Sequence, residues 1–247
     1  MSTHTYLDHG LTILQARLQT PQVRSAMDAN AARHPFITIS RESCAGATTL
    51  GEQLVPLLDA QLGEEGRSWI FFDKNLITHA LTQHQLPERL AEYLPEDRIS
   101  EIKSLVGELV GLHPSIWELE HKITEAILQL ASLGCVILTG RASHLITRSL
   151  PGGFHLRLVA SMPSRIKRMM ELKRCEAETA REALIHSDQA RHRYVQTNFQ
   201  HNLDDPHDYD LVINTDQVSP AAAANLVVAA LRDRVQAAVS PPAPAAS

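Results

Sequence analysis

The stretch FITISRESCAGATTLG, residues 36–51, decides the fold. Its first four residues are apolar or β-branched, which is typical of a buried strand, and a loop of small residues follows. A helical pattern begins after the loop. This order of strand, loop and helix turns backbone N–H groups and a helix N-terminus toward an anion. The stretch therefore predicts an α/β protein with a phosphate-binding loop.

The loop departs from the nucleotide-binding consensus G-x-x-x-x-G-K-[ST]. With Gly46 as the second glycine, Arg41 replaces the first glycine, Ala47 replaces the lysine, and Thr48 keeps the hydroxyl position. Thr48 is then the candidate Mg²⁺ ligand. Arg41 is the nearest cation along the chain, and we hypothesise that it supplies the missing charge. The alternative is a tight turn that binds no ligand.

Four further apolar segments, separated by helical patterns, follow this stretch. Near-continuous apolar strands that alternate with helices predict a parallel sheet covered on both faces. Pro56 lies inside the first helix and predicts a kink or an early end. The predicted strands are 36–40, 69–72, 135–139, 154–160 and 210–214, and the predicted helices are 47–62, 74–84, 97–133, 162–198 and 219–237. The long regions 97–133 and 162–198 predict a substrate subdomain and a lid.

The composition bounds the domains and the partners. A chain of 247 residues with a net charge of −5 fits one large domain or two small ones, and it lacks the basic face that nucleic-acid binding needs. Three scattered cysteines, no leader pattern and no membrane-length apolar run predict a cytoplasmic protein. We expect residues 1–34 to be a helical extension that packs on the domain or, in a homodimer, on a second copy. The core domain is predicted at 35–237 and a disordered tail at 238–247.

Two predicted strands end in candidate acceptor-binding residues. Asp73 follows the second strand and Arg141, after Gly140, follows the third. Ligands of open parallel sheets bind beyond the carboxyl ends of the strands, and arginine is the natural bidentate partner of a phosphate. The alternatives are a helix N-cap for Asp73 and a surface ion pair for Arg141.

The segment after the fourth strand is rich in arginine. Asp188 precedes Arg191 by three residues, so both lie on one helical face. A solvated charged helix is the usual reading of such a run. Phosphoryl transfer, however, depends on several cations around the moving group. The basic residues of this segment are Arg165, Lys167, Arg168, Lys173, Arg174, Arg181, Arg191 and Arg193.

Several segments together resemble the cytidylate kinase-like family within the nucleoside monophosphate kinases. They span about 36–216 in the order and spacing of that family. The matching segments are ITISRE (37–42), AGATTLG (45–51), FFDKNLI (71–77), CVILTGRASHLI (135–146), FHLRLVASMPSRIKR (154–168), SDQARHRY (187–194) and YDLVINTD (209–216).

The resemblance implies a P-loop NTPase-type three-layer α/β sandwich with a five-stranded parallel sheet, a helical substrate subdomain and lid insertions. It also implies transfer of a phosphoryl group from ATP, with Mg²⁺, to a nucleoside monophosphate such as CMP or a similar small acceptor. The implied ATP-binding residues are Ser43, Cys44, Ala45, Gly46, Ala47, Thr48 and Thr49, with Asn214 and Thr215 near the adenine. Asp73 and Arg141 would face the acceptor, and Arg165, Arg168, Asp188 and Arg191 would join Arg41 as catalytic charges.

Two departures from the family pattern keep two hypotheses open. Cytidylate kinases carry the loop lysine and a G-R-D triplet, whereas this chain has Ala47 and Ala142 at those positions. The first hypothesis is a phosphotransferase that acts on a nucleotide or a similar small acceptor, with arginines in place of the lysine. The alternative is a non-catalytic nucleotide-binding or regulatory module on a kinase fold.

Overall fold

The computed structural model of the protein describes residues 35–63, 67–73, 106 and 117–239. The predicted N-terminal extension, the predicted helix 74–84, most of the first part of the 97–133 region and the residues from 240 onward lie outside the described residues. Among the described helices, none is long and apolar enough to cross a membrane.

A single five-stranded sheet forms the centre of the described chain. All its strand pairs are parallel, and the strand order is β2-β3-β1-β4-β5. The strands are β1 (Phe36–Arg41), β2 (Ile70–Phe72), β3 (Val136–Thr139), β4 (Gly153–Val159) and β5 (Leu211–Asn214). Each of the five predicted strands is present, with bounds that differ by one residue. The predicted parallel α/β architecture is therefore confirmed.

Six α-helices surround this sheet within the described residues, and a short 3₁₀ turn at Pro206–Asp208 precedes β5. They are α1 (Ala47–Leu62), α2 (Trp117–Leu133), α3 (Ser143–Ile146), α4 (Met162–Lys173), α5 (Ala177–Phe199) and α6 (Pro220–Val239). The predicted single helix at 162–198 is two helices. Arg174 ends α4 in the left-handed conformation, with φ of 52°, and its N–H bonds the carbonyl of Met170.

The first helix continues through its proline. α1 runs from Ala47 to Leu62 with Pro56 inside it, so the predicted early end is wrong. Pro56 is exposed, and water can therefore meet the carbonyl of Glu52 that loses its intrahelical N–H partner. One face of α1 packs into the core through Leu50, Leu54 and other residues.

Side chains alternate along β1, so its two faces have different surroundings. Ile37 and Ile39 are fully buried in the apolar cluster that α1 and α6 form on one face of the sheet. Because side chains alternate along a strand, Thr38 and Ser40 point to the opposite face. Ser40 pairs in register with Arg157 of β4, so these two side chains lie beside each other on that face.

The strand order also fixes where a crevice opens. From β1 the chain crosses to β2, beyond β3, whereas from β3 it crosses to β4, on the other side of β1. The neighbouring strands β1 and β3 thus send their connections in opposite directions. Open parallel sheets bind ligands outside the carboxyl ends of such a strand pair. Arg41 ends β1 at this point, and Gly140 follows β3 there.

Candidate active site

The loop between β1 and α1 presents an open helix N-terminus. Cys44 and Gly46 have φ of 60° and 93°, and this backbone turns the chain sharply into α1. No side chain caps the helix and no acidic residue lies in its first turn. The first N–H groups of a helix have no intrahelical acceptor and carry a partial positive charge. The loop is therefore chemically suited to a phosphate.

The side chains of this loop alternate between the core and the surface. Ala45 and Ala47 are 0% and 6% exposed and belong to the apolar core cluster, whereas Thr48 and Thr49 are exposed. The side chain of Thr48 is thus accessible to a ligand at the loop. The position of the missing lysine starts inside the core, so any cation at the site must come from another element.

A cavity of about 310 Å³ opens beside this loop, at the carboxyl ends of β1 and β3. Three arginines from three elements line it, namely Arg41, Arg141 and Arg191. Gly140 allows this arrangement because a Cβ atom there would lie 2.5 Å from the Nη1 atom of Arg41. Arg41 therefore extends across Gly140 toward the end of β3. The structure brings together the cation predicted at the loop and the arginine predicted to hold the acceptor.

The cations of this cavity are partly desolvated and repel one another. Burial and, to a smaller extent, the charge of Arg191 lower the pKa of Arg41 to about 10, while Asp73 acts in the opposite direction. The pKa of Arg191 is also lowered, first by burial, while Asp188 acts in the opposite direction. An anion in the cavity would relieve both costs. Asp73, half-buried at the end of β2, lies close enough to act on Arg41.

A carboxylate of α5 bonds directly to the loop. Asp188 accepts a hydrogen bond from the N–H of Ser43 at 2.8 Å, from Arg191 at 3.0 Å, and from Arg165. Arg191 also donates to the hydroxyl of Ser43 at 2.6 Å. Burial by itself raises the pKa of Asp188, but the hydrogen bonds from Ser43 and Arg165 outweigh it and the pKa is lowered. Asp188 is therefore ionised and occupies one N–H group of the loop.

Two arginines of α4 fasten this helix to the loop. Arg165 is 6% exposed, and its Nε atom lies 3.6 Å from the carboxylate of Glu42. Arg168 donates to the carbonyl of Cys44 at 3.2 Å and to the hydroxyl and carbonyl of Thr215 at 3.0 Å each. These guanidinium groups bond protein atoms in this structure. Their predicted role in catalysis stays a prediction.

The predicted adenine-side residues lie at the end of β5, beside Arg168. The N–H of Thr215 bonds the carbonyl of Val159 at 2.9 Å, which joins this loop to the end of β4. Asn214 is exposed, and its side-chain oxygen accepts from the N–H of Asp216 at 3.0 Å. Arg168 connects Thr215 to Cys44 of the loop. Neither Asn214 nor Thr215 lines the arginine cavity.

A buried polar network under the cavity contains residues for which the sequence predicted no catalytic or binding role. Ser40 accepts from Arg157 at 3.1 Å, and its oxygen lies 3.2 Å from the hydroxyl of Tyr209. That hydroxyl also lies 3.2 Å from Nε2 of His144 and 2.8 Å from the carbonyl of Leu203. Arg157 pairs in addition with Asp204. The local signal was weak, because Ser40 and Tyr209 are 169 residues apart in the chain.

Comparison with known proteins is consistent with this architecture. Residues 36–217 match the family model described as the cytidylate kinase-like family. An uncharacterised protein from Eubacterium ventriosum has the same fold, with a TM-score of 0.54, 14% identity, and coverage of 80% of this chain and 98% of its own. No curated protein matches the sequence.

Two further solved structures are more distant. Shikimate kinase from Bacteroides thetaiotaomicron has a TM-score of 0.45 and 12% identity, over 82% of this chain and 98% of its own. Dephospho-CoA kinase from Campylobacter jejuni has a TM-score of 0.35 and 11% identity, over 82% of this chain and 98% of its own.

Proposed function

Because the chain belongs to the cytidylate kinase-like family, we propose that it is a phosphotransferase that moves the γ-phosphoryl group of ATP to a small phosphorylated acceptor. A nucleoside monophosphate such as CMP is the acceptor class that the family suggests. One observation carries the proposal. The loop before the uncapped N-terminus of α1 is joined to a cavity lined by Arg41, Arg141 and Arg191, because Arg191 bonds Ser43 of the loop at 2.6 Å. A donor phosphate and an acceptor phosphate thus have adjacent sites of suitable charge.

The donor side consists of the loop and its neighbours. Residues 43–49 hold the phosphates through backbone N–H groups, and the exposed hydroxyl of Thr48 is suited to hold Mg²⁺. Mg²⁺ supplies charge neutralisation of the phosphates when it is bound. Asn214 and Thr215 contact the base in this proposal. We propose residues 35–237 as the domain that carries this chemistry.

The acceptor side consists of the three-arginine cavity. Arg141 holds the acceptor phosphate in a bidentate manner, and Asp73 keeps Arg41 in place. Arg41 directly precedes the loop and its guanidinium reaches over Gly140, the residue before Arg141. In the proposed reaction it contacts the phosphoryl group during transfer in place of the absent lysine. In-line transfer is limited mainly by positioning and by charge on the equatorial oxygens, which arginines can stabilise.

The lid side supplies further cations. A phosphate that reaches the N–H of Ser43 takes the place of the Asp188 carboxylate, because both need the same donor. Arg165 and Arg191 then exchange a carboxylate partner for a phosphate partner. The lid thereby adds positive charge to the site only after the donor has bound.

The alternative function is nucleotide binding without transfer. It is favoured by Ala47, whose side chain is packed in the core, and by the bonds that Arg168 makes to protein atoms. In this case the same loop and cavity bind nucleotide as a regulatory ligand. The two functions differ in whether a labelled phosphoryl group leaves ATP for an acceptor.

Phosphoryl transfer is tested directly with the purified full chain and ATP labelled at the γ-phosphate. Nucleoside monophosphates and ribose 5-phosphate serve as acceptors, with and without Mg²⁺. We expect Mg²⁺-dependent labelling of at least one acceptor and a loss of about tenfold or more in Arg141→Lys, because a point charge cannot replace the planar fork. The matched control is Arg181→Lys, at an exposed position on α5.

Three results separate the alternatives. Labelled product that decreases in Arg141→Lys but not in the control supports the phosphotransferase. Nucleotide binding in calorimetry without any labelled product supports the regulatory module. A protein that neither binds ATP nor transfers phosphate contradicts both.

A further inference from the structure

His144 is a buried titratable residue with no part in the mechanism above. It lies in α3, is 3% exposed, and contributes to the wall of the arginine cavity. Its ring stacks on Tyr209 with the centroids 4.9 Å apart, and Tyr209 is its hydrogen-bond partner among the described residues. A buried imidazole at a ligand cavity offers either a donor or an acceptor, and the tautomer decides which.

The phenolic hydrogen of Tyr209 is donated to the carbonyl of Leu203. The carbonyl of Leu203 lies 2.8 Å from the hydroxyl and can only accept, so the phenolic hydrogen points to it. The two lone pairs of the Tyr209 oxygen are then left for two donors. Ser40 and His144 each lie 3.2 Å away. Ser40 already accepts from Arg157 at 3.1 Å, so its own hydroxyl hydrogen is free to donate to Tyr209.

This arrangement fixes the tautomer of His144. Its Nε2 atom must carry a hydrogen in order to bond the Tyr209 oxygen, because the only phenolic hydrogen goes to Leu203. A neutral ring with hydrogen on Nε2 has a lone pair on Nδ1. The ring is neutral, since burial, with the charges of His155 and Arg157 acting in the same direction, lowers the pKa of His144 to about 3. Nδ1 is therefore a permanent acceptor.

The cavity thus combines three kinds of recognition surface. The arginines are donors and select an anion. Ala142, Val195 and Leu203 belong to an apolar cluster and contribute an apolar wall. His144 is an acceptor and selects a donor group. A bare phosphate uses the arginines alone, whereas a phosphomonoester with a hydroxyl or amino group uses all three surfaces.

We propose that His144 is a specificity-determining residue that accepts a hydrogen bond at Nδ1 from a hydroxyl or N–H group of the acceptor. The acceptor is thereby a phosphomonoester with a hydrogen-bond donor on its non-phosphate part. This proposal rests on the proposed function in one respect, namely that the arginine cavity is the acceptor site.

The tautomer is measured first, on the unmodified protein. Nitrogen-15 NMR of the histidine side chains reports which ring nitrogen carries the hydrogen. We expect His144 to be neutral, with the hydrogen on Nε2, across pH 5–8. An Nδ1–H tautomer, or an imidazolium in this pH range, would overturn the proposal without any ligand or enzymatic assay.

Binding is measured next, by calorimetry with inorganic phosphate, ribose 5-phosphate and CMP. The variant His144→Phe keeps the stack on Tyr209 but has no acceptor. We expect it to bind inorganic phosphate as the original protein does and to lose about five- to tenfold in affinity for the organic phosphates. His144→Asn, whose side-chain oxygen takes the place of Nδ1, should restore part of this affinity. His155→Phe, at a half-buried histidine of β4 outside the cavity lining, is the matched control.

The outcomes are separate from those of the transfer assay. The proposal is contradicted if neither organic phosphate binds more tightly than inorganic phosphate, or if His144→Phe weakens all three probes equally. If the binding pattern is as expected and no phosphoryl transfer occurs, the proposed function fails and the role of His144 stands. If transfer occurs and His144→Phe changes no affinity, the role of His144 fails alone.

Discussion

Arg41 combines an unfavourable position for stability with a favourable one for binding an anion. Burial and Arg191 lower its pKa to about 10, a cost on the order of 3 kcal/mol for keeping it charged. Gly140 has φ of 90° and leaves room for the guanidinium where any side chain would collide with it. A desolvated cation at a cavity is typical of a functional site.

Replacing Arg41 should therefore separate activity from stability. We expect Arg41→Met to lower turnover by about a hundredfold, since one cation at a transferring phosphoryl group contributes roughly 3 kcal/mol. The free energy of unfolding should stay equal or rise, because a repelled cation is removed from the protein. The measurements are transfer kinetics and urea unfolding. A variant that loses stability and keeps its turnover would show that Arg41 is a structural residue.

At the scale of elements, α5 is the helix that connects the loop to the rest of the site. Asp188, Arg191 and His192 belong to one five-residue segment of this helix, and each bonds a group outside its own turn. His192 has an oxygen at each ring nitrogen: the carbonyl of Asp188 at 2.8 Å from Nδ1 and the carboxylate of Asp204 at 2.8 Å from Nε2. Since both oxygens only accept, the ring is best satisfied as an imidazolium.

The pH dependence of this contact has a definite sign. Burial lowers the pKa of His192, but the bonds to Asp188 and Asp204 outweigh it and the pKa is raised. Its contribution to stability is therefore complete below the unfolded-state pKa of about 6.5 and is lost as the pH rises through the higher folded-state pKa. NMR titration should give a pKa above 6.5, and His192→Gln should remove this part of the pH dependence of unfolding. A folded-state pKa at or below 6.5 would contradict the assignment.

Asp188 competes with phosphate for the loop, and its removal should show this. Asp188→Asn keeps an acceptor for the N–H of Ser43 but removes the negative charge beside Arg165 and Arg191. We expect a loss of about 1–3 kcal/mol in the free energy of unfolding, because buried cations lose a partner. The affinity for ADP should rise several-fold, since the phosphates no longer displace a carboxylate. Calorimetry measures the ADP affinity of the original protein and of the variant. A weaker affinity in the variant would mean that Asp188 assists nucleotide binding.

Nucleotide binding should stabilise the folded molecule as a whole. The proposed nucleotide site takes residues from the loop, from α5 and from the end of β5, so a nucleotide bound there contacts several parts of the folded chain. A ligand at a hundredfold excess over its Kd adds about 2.7 kcal/mol of stability. For a domain of this size we expect ATP with Mg²⁺ to raise Tm by roughly 5–10 °C.

Thr48 provides the control for this measurement. Thr48→Ala should lose the part of the Tm shift that depends on Mg²⁺, whereas Thr48→Ser, which keeps the hydroxyl, should retain it. An unchanged melting curve in millimolar ATP, ADP and CTP would contradict both nucleotide binding and the proposed phosphotransferase.

Local patterns determined much of this protein from the sequence. Apolar runs gave five strands, the small-residue loop gave the entry to α1, and polar residues after strand ends located Arg41, Asp73 and Arg141. These features depend on neighbours within a few residues, because strand and helix periodicities and turn preferences act over short distances. The family resemblance pointed to four charged residues of α4 and α5, namely Arg165, Arg168, Asp188 and Arg191.

Only the tertiary structure decided how the side chains are used. Ser43 meets Arg191 across 148 residues of sequence, and Ser40 meets Tyr209 across 169. The crossovers of the parallel sheet create these contacts, and no local pattern encodes them. The structure also shows that Ala47 starts in the core, that Arg168 bonds protein atoms, and that burial lowers the pKa of His144. Burial and hydrogen-bond partners set these properties, and both are consequences of packing between distant segments.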